Sequence, residues 1–252
     1  MDQDSDKAAT PQRRSDVSSA ERQPEQAIEP LPSWLQPGNP ESRWPIFIAL
    51  IAAMAFQLAV HPRYAVAPRW PLITMEALLL IGLAIINPNH STRPSQLAQT
   101  ISLVLLGAIT LDNAASAFVL DYRIINGDVS NDASVLLGSG AAIFLTNIIA
   151  FGIWYSELDL GGPFKRGAGH TVGKRRTPDF MFPQTEKGHL AATNWKPQFV
   201  DYLYVSFTNV VAFSPTDTMP LTHRAKALMT LQSLVAVSTL ALVIARAVNV
   251  LK

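Results

Sequence analysis

The sequence predicts an all-α polytopic membrane protein with about five transmembrane helices and one shorter, re-entrant half-helix. Three observations predict it. The 252 residues are 48% hydrophobic and only 15% charged, where a soluble domain carries about 25% charged residues. The hydrophobicity falls in long blocks, Trp44–Val60, Trp70–Ile86, Leu97–Leu120, Ser134–Trp154 and Ala225–Leu251, close to the ~20 residues that cross a bilayer. Between the last two blocks, Asp201–Thr222 reads as a short amphipathic helix, a proline-marked turn and the entry to the final helix. That helix is too short to span, and irregular backbone at membrane depth must be buried in protein or line a cavity.

Residues 1–43 are rich in Pro, Ser, Gln, Asp and Glu and predict a disordered polar tail. Residues 44–157 hold four apolar helices. The first two are short and pair as a hairpin over His61–Arg69. Trp70 opens the second, and Pro71 fits its first turn. Asn87-Pro88-Asn89 ends it. The third starts after Arg93-Pro94, and the fourth ends at Trp154–Asp159 followed by Gly161-Gly162-Pro163. Residues 158–198 form a polar connecting loop whose Phe180, Met181, Phe182, Leu190 and Trp195 suit docking at the interface or over a neighbouring opening. Residues 199–252 hold the half-helix, its turn and the last spanning helix. Asp201 is placed to cap the short helix and Thr222 to cap the last.

Composition excludes several classes of function. The chain has no cysteine, so it holds no disulfide, thiol nucleophile or thiolate metal site. His61, His90, His170, His189 and His223 fall in no metal-ligand spacing and read as surface residues. A net charge of +1 gives no reason to expect a nucleic-acid partner. No Ser-His-Asp framework or Gly-rich phosphate loop is present. The chain is expected to be no enzyme, with no cofactor and no metal. Glu157 and Asp159 beside Lys165 and Arg166 read as interfacial ion pairs or helix-end anchors.

Glu76, Asp112, Asn113 and Asn147 lie inside apolar blocks. A carboxylate there costs about 2.5–3.5 kcal/mol at a helix centre and faces the bundle interior or water. Two readings stand. Glu76 and Asp112 line a polar or proton path, or the four residues are packing glue, with Asn113 and Asn147 hydrogen-bonded between helices three and four. On the last helix Gln232, Thr239 and Arg246 recur every seven residues and share a stripe, while the adjacent Gln232 and Ser233 point different ways. The stripe, with Thr208, either lines a conduit or faces neighbouring helices.

The segment DYLYVSFTNVVAFSPTDTMPLT (Asp201–Thr222) resembles the pore segment of two-helix potassium-channel domains, S-x-T-T-x-T-T-V-G-Y-G-D-x-x-P-L-T. Aligned without gaps, Ser206, Thr208, Asp217, Pro220, Leu221 and Thr222 match. Ala212, Phe213, Ser214, Pro215 and Thr216 stand where those channels carry T-V-G-Y-G. Their filter points successive carbonyls at the ion, and its glycines take backbone angles that Ser214 and Thr216 resist. Pro215 further fixes its own φ and restricts Ser214. The resemblance therefore implies a pore-type half-helix with a filter-like turn, Ala212–Asp217, that is not potassium-selective. It also implies a homo-oligomer, a tetramer, passing small ions. WYSELDLGGP (Trp154–Pro163) and FSPTDTMPLT (Phe213–Thr222) together resemble a set of bacterial integral membrane proteins with W-Y-x-E-L-D-x-G-G-P and F-S-P-T-D-T-M-P-L motifs. That likeness implies no activity.

These features predict a channel-like protein of the inner membrane. A non-conducting scaffold or accessory subunit that keeps the pore-loop fold, or a small-solute transporter, remains the alternative. Most of the 20 lysines and arginines lie on the side of the tail, the second turn and the long loop. The positive-inside rule puts that side, with the N-terminus, in the cytoplasm. The channel resemblance implies the opposite orientation.

Overall fold

A computed structural model describes residues 42–65, 68–86, 96–130, 132–163, 166, 177–186, 195–212 and 217–250. The predicted tail up to residue 41, much of the connecting loop and Phe213–Thr216 of the filter-like turn lie outside the described residues.

The fold is a bundle of α-helices. In chain order these are α1 (Trp44–Ala59), α2 (Arg69–Ile86), α3 (Gln96–Ile125), α4 (Ala133–Leu158), α5 (Phe199–Val211) and α6 (His223–Val250). The starts of α4, α5 and α6 carry side chains that satisfy free backbone N–H groups, and the first turn of α1 carries a proline that has none to satisfy. Pro45 sits in the first turn of α1. Asp132 caps α4, its Oδ1 accepting from Ser134 N at 2.8 Å. Those Ser134 hydrogen bonds, from side chain and backbone, hold the Asp132 carboxyl below its ordinary range. Thr222 caps α6, its Oγ1 accepting from Ala225 N at 3.2 Å. Asp201 caps the start of α5, as the sequence suggested, from inside the first turn. Gln198 is the cap residue, and Asp201 stands three places inside, its Oδ2 accepting from Gln198 N at 2.7 Å in a reciprocal capping box.

Three helices are long and apolar enough to cross a membrane: α3, α4 continued to Gly161, and α6. The 16-residue α1 is a shorter apolar helix. α3 has 30 residues, about 45 Å at 1.5 Å per residue, more than a ~30 Å hydrocarbon core. α5 has 13 residues and reaches only about 20 Å. Large apolar side chains point outward along the bundle, among them Ile48, Leu78, Ile85, Leu111, Phe118, Leu234 and Ile244. An apolar exterior of this kind suits lipid.

α4 is the central helix and packs against α1, α3, α5 and α6. Glycines set two of these approaches. A Cβ at Gly140 would lie 2.9 Å from Val243 Cγ1 on α6, and one at Gly152 would lie 3.1 Å from Leu203 Cα on α5. Leu50, Leu105, Ile109, Ile153 and Phe199 form one core where α1, α3, α4 and α5 meet. Phe151, Tyr155, Phe180, Phe182, Tyr202 and Met229 form another around α5.

Candidate functional site

The segment that the sequence singled out is held by three polar assemblies, all built on α4. The first is the α4 terminus. WYSELDLGGP closes it with three successive left-handed residues, Leu160 (φ 53°), Gly161 (φ 82°) and Gly162 (φ 94°). The two glycines suit that backbone. Any side chain at Gly162 would meet Glu157 Oε2 at 2.9 Å. The turn aims Asp159 inward, where it is 1% exposed. Its Oδ1 accepts from Asp179 N at 2.7 Å, and its Oδ2 accepts from the Tyr202 hydroxyl at 2.6 Å. The buried Arg166 donates to the Ser156 and Asp159 carbonyls at 2.6 and 2.9 Å. Its guanidinium lies 5.0 Å from the Tyr202 ring centre. Of the two readings, helix-end anchoring describes Asp159 and Arg166: both face inward, the guanidinium acts on the Asp159 carboxylate, and both bond backbone groups at the end of α4.

The second assembly ties the loop to the start of α6. Strand β1 (Phe180–Met181) pairs antiparallel with β2 (Met219–Pro220). Leu221 N donates to Asp179 O at 2.8 Å, and the Thr222 hydroxyl donates to Asp179 Oδ1 at 2.5 Å. Asp159 therefore binds Tyr202 near the start of α5 and Asp179, and Asp179 binds Thr222 at the start of α6. The chain enters α5 and enters α6 at one end of α4. Phe180 and Phe182 pack against Tyr155, Tyr202 and Trp195 with ring centres 5.2–6.3 Å apart, so the apolar loop residues dock into the core.

The third assembly locks α4, α5 and α6 at mid-depth. Gln232 is 0% exposed. Its Oε1 accepts from the Tyr155 hydroxyl at 2.5 Å and from Asn209 Nδ2 at 2.9 Å. Its Nε2 donates to Ser206 Oγ at 2.7 Å and to Ser206 O at 3.2 Å. Ser206 Oγ donates onward to Ile148 O on α4 at 2.7 Å. Of the two readings of the Gln232 stripe, facing neighbouring helices describes what is observed. Thr239 is also buried, with Asp121 3.5 Å away on α3, and Arg246 is half-buried. Thr208 turns back on its own helix, its hydroxyl donating to Tyr204 O at 2.9 Å.

A different face of α6 is open. Lys226, Thr230, Ser233 and Ser238, among the apolar Pro220, Met229, Leu234 and Val237 and with Asn209 of α5, line a largely apolar open groove of about 570 Å³. Ala212 closes α5, its N–H donating to Thr208 O at 2.9 Å. Asp217 is exposed, and its carboxylate takes no hydrogen bond from a described residue.

The polar residues of the apolar blocks separate. Glu76 and Asp112 come together across Gln57 of α1, a residue the sequence reading passed over. Asn113 and Asn147 are both buried, yet neither Asn147 Oδ1 nor Nδ2 has a hydrogen-bond partner among the described residues. The expected Asn113–Asn147 bond is therefore absent. Instead α3 and α4 are bonded through Trp154 Nε1, which donates to Thr110 Oγ1 at 2.9 Å. No group of three or more His, Cys, Asp or Glu that could hold a metal occurs among the described residues.

Sequence reading missed Tyr155, Asp179, Tyr202, Ser206 and Asn209 as polar anchors. For Tyr155, Tyr202, Ser206 and Asn209 the available signal was their position inside the quoted segments; Asp179, in the connecting loop, carried none. No protein-family model, curated protein or solved structure matches this chain.

Proposed function

We propose that the chain is an integral membrane protein of pore-loop architecture, with α5 as a re-entrant half-helix. It assembles as a homo-oligomer around an ion conduit that is not potassium-selective. One observation carries the reading. A helix too short to span is followed by a return to the same end of α4, through the Tyr202–Asp159–Asp179–Thr222 chain of hydrogen bonds. A single half-helix and α6 cannot enclose a conduit, so symmetric assembly follows. In that assembly the groove face of α6, with Thr230, Ser233 and Ser238, lines the conduit in place of Gln232 and Thr239, which the protomer uses internally. The C-terminal end of α5 presents a partial negative charge that favours cations, and the exposed Asp217 adds a carboxylate on the returning segment.

Ion flux into liposomes tests this. Wild-type protein is expected to pass small ions, and Asp217→Asn to keep its fold and oligomer size while changing selectivity or block. Absence of flux for every small ion from folded, assembled protein would replace the conduit with the second reading. That reading is a non-conducting scaffold, favoured by the complete internal satisfaction of Gln232, which ties α5 rigidly between α4 and α6.

A further inference from the structure

A second polar site lies apart from α5 and α6, and its argument is independent of the pore reading. Gln57 on α1 is 2% exposed and Glu76 on α2 is 0% exposed. Gln57 Nε2 donates to Asp112 Oδ2 of α3 at 3.1 Å and lies 3.5 Å from Glu76 Oε1. One amide thus holds two carboxylates from two other helices, at the point between them that a cation would take. Two of the remaining oxygens, Glu76 Oε2 and Gln57 Oε1, are buried without a hydrogen-bond partner.

The charges do not balance. Arg69, at the start of α2, acts on Asp112. The charge that acts on Glu76 is Asp112. The guanidinium makes no hydrogen bond to a described residue through its buried nitrogens, so it contributes through its field. α1 contains no charged residue, and Glu157 at the far end is the only one on α4. Further along α3, Asp121 faces Thr239 of α6, and Arg123 pairs with Asp128, which also holds Arg63. Of the charged groups on α6, Arg224 reaches Asp179 at the far side of the bundle. On α6, Lys226 lies on the groove and Arg246 in the last turns of the helix. Among the described residues, two carboxylates therefore share one guanidinium in a low-dielectric interior, one positive charge short of neutrality. An uncompensated buried charge of that kind is strongly unfavourable.

We propose that Gln57, Glu76 and Asp112 form an exchangeable site for one monovalent cation, either a proton or a small alkali ion. Two carboxylates and an amide oxygen suit a hard, singly charged ion and offer no soft or nitrogen ligand for a transition metal. Gln57 would stand in for an absent ion, its NH2 donating to both carboxylates. Turning the amide over presents Oε1 to the arriving ion. Gln57 is in the last turn of α1, and Glu76 lies two turns into α2, about 10 Å along its axis. The site is therefore reached from the α1–α2 end of the bundle. When the occupant is a proton it resides on Glu76, because Arg69 favours the charge on Asp112.

Dicyclohexylcarbodiimide tests the proposal, since it modifies carboxylic acids sheltered from water. Full-length protein is labelled in sodium-free buffer, and the adduct is located by mass spectrometry. One adduct per chain is expected, on Glu76 and absent from Glu76→Gln. Protection by added sodium or lithium identifies an alkali ion as occupant, and no protection identifies a proton. Asp112→Asn removes one negative charge and leaves Glu76 to Arg69, so labelling should fall by about tenfold or more. Arg69→Gln should extend labelling to Asp112. A packing role predicts no such charge dependence. Wild-type protein that is folded yet unlabelled at Glu76 overturns the proposal, as does labelling that Asp112→Asn leaves unchanged.

Discussion

At the scale of single residues, each buried polar side chain is decided by whether its partners lie within reach. Gln232 uses two acceptor and two donor positions, to Tyr155, Asn209 and Ser206. Gln232→Leu removes them together. Asn209 keeps Met229 O, Ser206 keeps Ile148 O, and the Tyr155 hydroxyl is left with Asn209 alone. Loss of about 1–3 kcal/mol is expected, the cost of leaving buried groups unpaired. Tyr155→Phe should cost less, because Gln232 Oε1 retains Asn209. Thermal melting of both variants and the double variant checks this. The double variant should be milder than the two effects added, since both act on one network. The sequence placed Gln232 on a stripe and separated it from Ser233, which helical geometry alone permits. It could not say which of the two turns inward, because the partners, Tyr155 and Asn209, sit 77 and 23 residues away. Gln57 was hidden for the same reason, as a lone amide in an apolar run whose carboxylates are 19 and 55 residues distant.

At the scale of elements, the apolar runs were legible and their ties were not. The run Trp44–Val60 became α1 (Trp44–Ala59), and Ala225–Leu251 became α6 (His223–Val250), because helix length follows the local length of the apolar block. The pairing of β1 with β2 involves two residues on each side, 40 positions apart at Phe180 and Pro220, too brief for any periodicity to register. The approach of α4 to α5 depends on Gly152, whose absent side chain leaves 3.1 Å to the Leu203 backbone. Gly152→Val places β-branched bulk against main chain that cannot rotate away, and overpacking of this sort costs about 1–3 kcal/mol. A side chain at Gly140 meets side-chain atoms only, Val243 Cγ1, Cγ2 and Cβ at 2.9, 3.0 and 3.3 Å, and Ala adds no more than the Cβ itself. Gly152→Val is therefore expected to lower the melting temperature more than Gly140→Ala. The reverse order would mean that α5 is loosely held and that α4–α6 packing dominates.

At the scale of the whole molecule, the decisive property is the path of the chain between α4 and α6. If α5 crossed the membrane, its start and the start of α6 would lie on opposite faces. Three links argue against that separation: Tyr202 to Asp159, Asp179 to Asp159, and Thr222 to Asp179, all within 2.5–2.7 Å. Each is short and at least partly buried, and together they span less than the length of α5. Gln198, just before α5, and His223, the first residue of α6, are both exposed and separate from those links. The chain has no cysteine to remove, so single cysteines at these two positions report cleanly. Both are expected to react with an impermeant maleimide from the same face of sealed vesicles. A cysteine at Asn126, in the exposed turn between α3 and α4, should react from the other face, because α4 runs between the two ends. Which face is cytoplasmic then follows from vesicle orientation, and it decides between the positive-inside assignment and the channel-like one. Reaction of Gln198→Cys and His223→Cys from opposite faces would make α5 a spanning segment. It would remove the pore loop from this fold while leaving the α1–α2–α3 cation site untouched.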